Sequence, residues 1–248
     1  MLFTGQRNNT DIQNLEIKID GKLVEQIGNN CKFVGQVLDK NLTWDGHIEH
    51  VSKILASANF AINSSKNFLH KKIRKTIYYS LFDSHLNFGN LLWGCASNKL
   101  IKKLDNLQKR CIRNVEIKKY KAHTEPLFKH LEILKLSDKL SFCQAQFMHQ
   151  YRNKKLPESF DNMFSEITVA DELQTRHNDY NYKDKPAIKN SLERFPTKML
   201  VSNWNHLNVD LKSTADYLEF KSLLKENILS SYSYETDCYG KCYSCDNL

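Results

Sequence analysis

Between Leu15 and Leu38 apolar and polar residues alternate, and from Thr43 onward the apolar ones return every third or fourth position. The first rhythm belongs to strands with one covered face and the second to amphipathic helices. In "LEIKIDGKLVEQI", Leu15, Ile17 and Ile19 alternate ahead of Asp20-Gly21, a two-residue hairpin signal. "KFVGQVL", from Lys32 to Leu38, predicts a third short strand in which Gly35 marks a bulge or a close backbone approach. Two hairpin strands and one more make a poor sheet alone. The pattern therefore predicts strands that leave apolar surface uncovered.

The helical part begins where Thr43 or Asp45 can cap, and Ile48, Val51, Leu55, Ala58 and Ile62 follow on one face. A second helix is predicted from about Lys72 to Leu86, with Ile73, Ile77 and Leu81 on one face. The third divides most sharply. Leu100, Leu104, Leu107, Cys111 and Val115 form an apolar stripe, while Lys99, Lys102, Lys103, Lys109, Arg110 and Arg113 take the remaining surface. Further helices are expected over Glu125–Ile133, where Pro126 suits the first turn, and over Ser137–Asn153. Residues 162–190 are polar and predict a long exposed connection, and Leu192–Tyr232 reads as a last helical region. Trp44, Trp93 and Trp204 are expected as core anchors. The fold class is mainly α, with a small, incomplete antiparallel β element at the N-terminus.

Composition adds little to this: 248 residues, 41% hydrophobic and 26% charged, describe a globular chain with room for a real core. No run approaches the roughly 18 apolar residues of a membrane span, and "MLFTGQRNNT" does not read as a signal peptide. The expectation is an intracellular chain, cytoplasmic or nuclear, with no membrane partner. Charge changes the picture more. The net charge is +8, yet residues 66–121 hold fourteen Lys and Arg against Asp83, Asp105 and Glu116, so that window carries +11 and the rest of the chain −3. Its members Lys71, Lys72, Arg74, Lys75, Lys99, Lys102, Lys103, Lys109, Arg110, Arg113, Lys118 and Lys119 are the candidate nucleic-acid contacts. Concentrated positive charge gathers phosphates without reading sequence, so the expected partner is RNA, DNA or an RNA–DNA duplex held by its backbone.

Other chemistry is thin. Cys238, Cys242 and Cys245 have spacings that thiolates use for zinc, but no fourth ligand follows and His206 is distant. A reduced tail is the favoured expectation and a closed zinc site the lesser one. An odd total of seven cysteines is a poor disulfide framework, and Cys95, Cys111 and Cys143 sit in patterned segments like small core residues. His47, Glu49, His50, His123, Glu125 and His130 are acid–base types that no spacing assembles. With no Ser-His-Asp set and no phosphate-cradling glycine loop, an independent hydrolase is excluded.

Several short blocks, in order, resemble the C-terminal part of non-LTR (LINE-type, jockey-like) retrotransposon reverse transcriptases. "MLFT" resembles the strand after the polymerase active site. "KFVG" with "LTWDGHI" resembles the blocks ending the palm, and "YYSLFDSHLNFGNLLWG" resembles a later family block. "LDNLQKRCIRNV", "HTEPLFKHLEILKLSD", Thr175-Arg176, "WNHLN" and "FKSLLKENIL" follow. Val34 and Asn208 are mild departures, where the family tends to have Leu and Pro. The resemblance implies palm-end strands with a primer-grip-like hairpin over 1–44, including Lys32, Phe33, Val34 and Gly35, and a basic thumb-like helical bundle over 45–120. A helical continuation over 121–161, the polar connection over 162–190, a C-terminal helical segment over 191–234 and a cysteine tail over 235–248 complete it.

The family's Tyr-x-Asp-Asp turn should lie before residue 1, and the sequence contains no Asp-Asp pair. Polymerisation needs carboxylates converging on two Mg²⁺ ions. The implied function is a part of an RNA-directed DNA polymerase that retains the nucleic-acid surface but does not catalyse alone and needs no cofactor itself. A domesticated stand-alone nucleic-acid-binding module, or a remnant of an element without function, is the alternative.

Overall fold

The computed structural model describes residues 18–23, 30–167, 180–183 and 195–233. The Asp20-Gly21 signal forms its hairpin, β1 (Lys18–Ile19) against β2 (Lys22–Leu23), with positive φ at both turn residues, 49° and 72°. Leu15 and Ile17 lie outside the described residues.

The stretch that alternation reads as one strand is a second hairpin, as the family resemblance implied. Strand β3 (Asn30–Phe33) pairs antiparallel with β4 (Gln36–Asp39) in the register Lys32↔Val37 and Phe33↔Gln36. Val34 (φ 43°) and Gly35 (φ 75°) are its two-residue turn. Positive φ at both central residues is the primed turn whose twist matches the flanking strands, so Gly35 reverses the chain rather than bulging it. As expected, apolar side chains stand uncovered here, Ile19, Leu23, Phe33 and Val34 among them.

Asp39 ends β4 and organises the entry to the first helix. Its carboxylate accepts from the backbone N–H groups of Asn41, Thr43 and Trp44 and from the Thr43 hydroxyl. Burial raises its pKa, but the backbone bonds from Thr43, Trp44 and Asn41 and the Thr43 hydroxyl outweigh that and hold it below the usual carboxylate value. Held in this way, Trp44 takes a left-handed conformation (φ 68°) and its indole turns into the core.

Helix α1 (Asp45–Ser65) buries Ile48, Val51, Leu55, Ala58 and Ile62, the stripe its sequence predicts. The second predicted helix differs in shape and in face. It is α2 (Lys71–Ile77), a π-helical turn (Tyr78–Asp83) and α3 (Ser84–Asn87), and α4 (Asn90–Trp93) follows Gly89. Ile73 and Leu81 are exposed, and Arg74, Tyr78, Phe82 and Leu86 are buried instead. Both sets recur every fourth residue. Such steps drift about 40° each around an α-helix, and the wider π turn, marked by the bond from Ser84 N to Tyr79 O, takes up that drift.

Helix α5 (Asn98–Val115) packs on α1 with Leu104, Cys111, Ile112 and Val115 fully buried and Leu100 and Leu107 at the margin. Contacts Lys103–Glu49 and Asn114–Asn59 ascend both helices together, so the two run parallel. Helices α6 (Glu125–Leu131) and α7 (Leu136–Arg152) follow near their predicted bounds. Leu136 and Leu140 belong to the core built by α1–α6, whereas Ala145 and Met148 belong to a second one.

That second core takes Leu200, Val201 and Trp204 from α8 (Pro196–Asn205), Leu211 from α9 (Val209–Ser213), and Phe220 and Leu224 from α10 (Tyr217–Ser230). Trp44, Trp93 and Trp204 are all buried anchors, as predicted. The connection over 162–190 is not wholly exposed. Tyr182 is buried in the second core, Asn205 holds it through both backbone groups, and the Trp204 indole donates to Tyr180 O at 2.7 Å. Glu166 and Tyr182 form an antiparallel bridge. A composition count missed this, because one aromatic ring with a backbone clamp is enough to dock a polar segment. Among the described residues no helix is long and apolar enough to cross a membrane.

Candidate nucleic-acid interface

The basic window folds into a surface around α5, and its members have distinct fates. Lys99 and Lys102 stand exposed on the outer face of α5. Lys103 pairs with Glu49 on α1, and Lys109 with Asp105 one turn earlier at 2.7 Å. Lys71, at the start of α2, meets Glu116 at 2.7 Å. Lys72 is exposed and Lys75 half-buried on the same helix.

Arg74 is placed differently from its expected role. It is buried, with Nε donating to Val115 O at 2.9 Å and Nη1 to the carbonyls of Lys66 and Leu69. Its guanidinium closes the C-terminal ends of α1 and α5, where helix carbonyls lack intrahelical partners. Arg74 is therefore a structural cap, not part of the exposed basic surface.

Where α1 and α5 near their C-terminal ends, a cleft of about 550 Å³ opens between them. Its walls include Phe60, Lys66, Arg110, Arg113, Lys118, Lys119 and Tyr120, and no carboxylate lines it. The hydrogen bond from Asn114 to Asn59, 2.7 Å, ties the two helices at this level. Arg113 donates from Nε to Ala122 O at 2.7 Å, which holds the loop after α5 against the helix. Arg110, Lys118 and Lys119 are exposed and meet no carboxylate among the described residues. Cations gathered without counter-charges around a concave surface focus positive potential into it. Sequence reasoning reached the cations but missed Phe60 and Tyr120. Phe60 lies off the apolar stripe of α1, and Tyr120 is set within Lys118-Lys119-Tyr120-Lys121, so both signals were legible.

The hairpin-tip residues stand apart from this cleft. Lys32 and Gly35 line a second one, about 370 Å³, with His47, His50, Ser84, His85 and Phe88. That cleft uses His47, His50, Val51 and Ile54 of α1, and the basic cleft uses Ala56, Asn59, Phe60 and Asn63, so the two occupy opposite flanks of that helix. Phe33 and Val34 point to neither and are exposed. A methyl group on Gly35 would stand 2.9 Å from the Phe88 ring, at a φ that L-residues resist. Gly35→Ala should cost about 1–2 kcal/mol, seen as a lowered urea midpoint and faster amide exchange across β3 and β4.

Comparison with known proteins bears on what this surface serves. The chain is 24% identical over 138 residues to the "RNA-directed DNA polymerase from mobile element jockey" of Drosophila melanogaster, covering 54% of this chain and 15% of that protein. It is 21% identical over 132 residues to the "Probable RNA-directed DNA polymerase from transposon X-element" of the same organism, covering 51% and 14%. The chain is related to the reverse transcriptases of jockey-type, non-LTR mobile elements. The matched stretch thus spans about one seventh of these relatives' length. No protein-family model and no solved structure matches it.

For a relative of these polymerases, the acidic side chains decide what chemistry is at hand. Asp83 is held by Lys139, Glu116 by Lys71, Glu125 by Lys135 and Glu49 by Lys103. Asp39 cages the turn before α1 and Asp216 caps α10. Among the described residues no three His, Cys, Asp or Glu side chains converge on a place that would hold a metal ion. Cys238, Cys242 and Cys245 lie outside the described residues.

Proposed function

We propose that this chain supplies a nucleic-acid-holding surface of the kind a mobile-element RNA-directed DNA polymerase needs, and that it does not itself join nucleotides. RNA, DNA or a hybrid duplex is held by its phosphates along the exposed cations of α5 and the loop behind it, chiefly Lys99, Lys102, Arg110, Lys118 and Lys119. The carrying observation is the carboxylate-free cleft beside α5, around which exposed Arg110, Lys118 and Lys119 meet no carboxylate among the described residues. The similarity to the jockey and X-element polymerases supports the same reading. Backbone contacts of this type read shape and charge, not base order. The chain needs no cofactor for this, and it acts where nucleic acid is found, in cytoplasm or nucleus.

Titrating a labelled duplex at several salt concentrations tests the binding half. Each phosphate neutralised contributes about −0.9 to the slope of log affinity against log salt for duplex DNA. Serine at Arg110, Lys118 and Lys119 together should flatten the slope by about 2–3, while circular dichroism stays unchanged. Affinity indifferent to salt would overturn the reading. Primer-extension assays with Mg²⁺ test the other half, and nucleotide incorporation by the chain alone would refute it.

A further inference from the structure

The cleft between α1 and α5 carries two large aromatic side chains that the fold does not use. Phe60 is 71% exposed and Tyr120 is 78% exposed, yet both line the same concavity. The core stripe of α1 is complete without Phe60, which projects well away from it. Tyr120 lies in the loop after α5, with the Arg113 guanidinium 5.9 Å from its ring centroid. This distance is that of a cation–π contact, which steadies the ring at the mouth of the cleft.

We propose that this cleft is a site for an unpaired nucleic-acid strand, with bases stacked on Phe60 and Tyr120 and phosphates held by Arg110, Lys118 and Lys119. The inference rests on the nucleic-acid-binding reading above and narrows it to one substrate form. Charge complementarity selects the ligand class, since the cleft has basic residues on both walls and no acidic ones. The rings select the form. In a duplex each base face is already covered by its neighbours, so an aromatic side chain gains a stacking partner only from unpaired bases. Size agrees: about 550 Å³ suits a group of nucleotide dimensions and is too small to admit a double helix. A duplex can only lie across the rim, with its phosphates on exposed Arg110, Lys118 and Lys119 and the outer lysines of α5, and its bases out of reach of the two rings.

Fluorescence anisotropy with a short labelled single strand, and with the blunt duplex made from it, tests this on the full chain. Phe60→Ala with Tyr120→Ala should weaken single-strand binding about tenfold or more and change duplex binding less than about twofold. Both side chains are exposed, so the melting temperature should stay put and a folding failure would be visible at once. If the double variant binds both forms as the parent does, or loses both equally, the strand site is refuted while the broader binding surface stands. If the parent itself binds neither form in dilute buffer, the broader reading fails first and takes this one with it. Unchanged strand affinity joined to loss of self-association in sedimentation would overturn the proposal in favour of a protein-docking cleft.

Discussion

Lys139→Met is expected to destabilise the protein by about 3–5 kcal/mol, a fall in melting temperature of about 6–20 °C for a chain of this size. Lys139 on α7 reaches Asp83 at the end of the π-helical turn, and both side chains are nearly inaccessible. Asp83 also accepts from the Tyr78 hydroxyl at 3.3 Å and from Asn87 Nδ2 at 2.9 Å. Gln108 on α5 extends the network, donating to Tyr78 at 2.9 Å and to the Leu134 carbonyl at 3.0 Å. One buried cluster therefore joins the π turn, α5 and α7. Removing Lys139 strands a carboxylate that has little access to water, and that desolvation, more than the lost attraction, sets the cost.

The attribution has its own control. Adding Asp83→Asn to Lys139→Met removes the stranded charge and keeps an acceptor for Tyr78, so the double variant should recover most of the loss. Urea denaturation of the three proteins measures this. A cost below about 1 kcal/mol for Lys139→Met would mean that the pair behaves as a surface salt bridge.

Stability should also decline as pH falls from about 6.5 to about 4, with His47 responsible for about 3 kcal/mol of the change. His47 sits in α1 at 2% exposure, between the Trp44 and Trp93 rings, and its Nδ1 accepts from Val37 N at 3.4 Å. Burial, helped by nearby His50, lowers its pKa from 6.5 to about 4. The unfolded chain therefore binds a proton in this window that the folded one refuses. His47 imposes no penalty above the upper value, an increasing one as pH falls, and a constant one below the lower value. Exchange of His47 for Phe retains the ring packing and removes the titration, so the decline should become shallower. Part of it should persist, because burial also depresses the pKa of His149, which is stacked on Phe220 at 4.3 Å. An unaltered pH profile in His47→Phe would disprove the assignment.

Much of this molecule was legible along the chain, for reasons visible in particular elements. The stripes of α1 and α5 could be read because residues three and four apart must share a helix face, and only one face of each is apolar. The Asp20-Gly21 turn could be read because few residue pairs accept two positive φ values. Val34-Gly35 is a turn of the same kind that the family resemblance implied but the residue pattern alone did not show, since β-branched valine rarely enters that region. The inward face around Tyr78 was missed because Ile73, Ile77 and Leu81 offer the same spacing with more apolar side chains. Arg74 and Asp83 became interior residues only because partners arrived from α5 and α7.

The candidate site divides along the same line. Fourteen basic residues within one window announce a strongly basic surface in any arrangement of the helices, because their number and the scarcity of carboxylates beside them are properties of composition. Which of them stay available could not be known without the fold. Arg74 is consumed as a helix cap, Lys71, Lys103 and Lys109 meet carboxylates, and Arg110, Lys118 and Lys119 gather with Phe60 and Tyr120 around one cleft. Local periodicity and charge are encoded within a few residues of each other, whereas a cleft and its vacant cations depend on contacts between segments about 50 residues apart, such as Asn59 with Asn114. Only tertiary packing decides those.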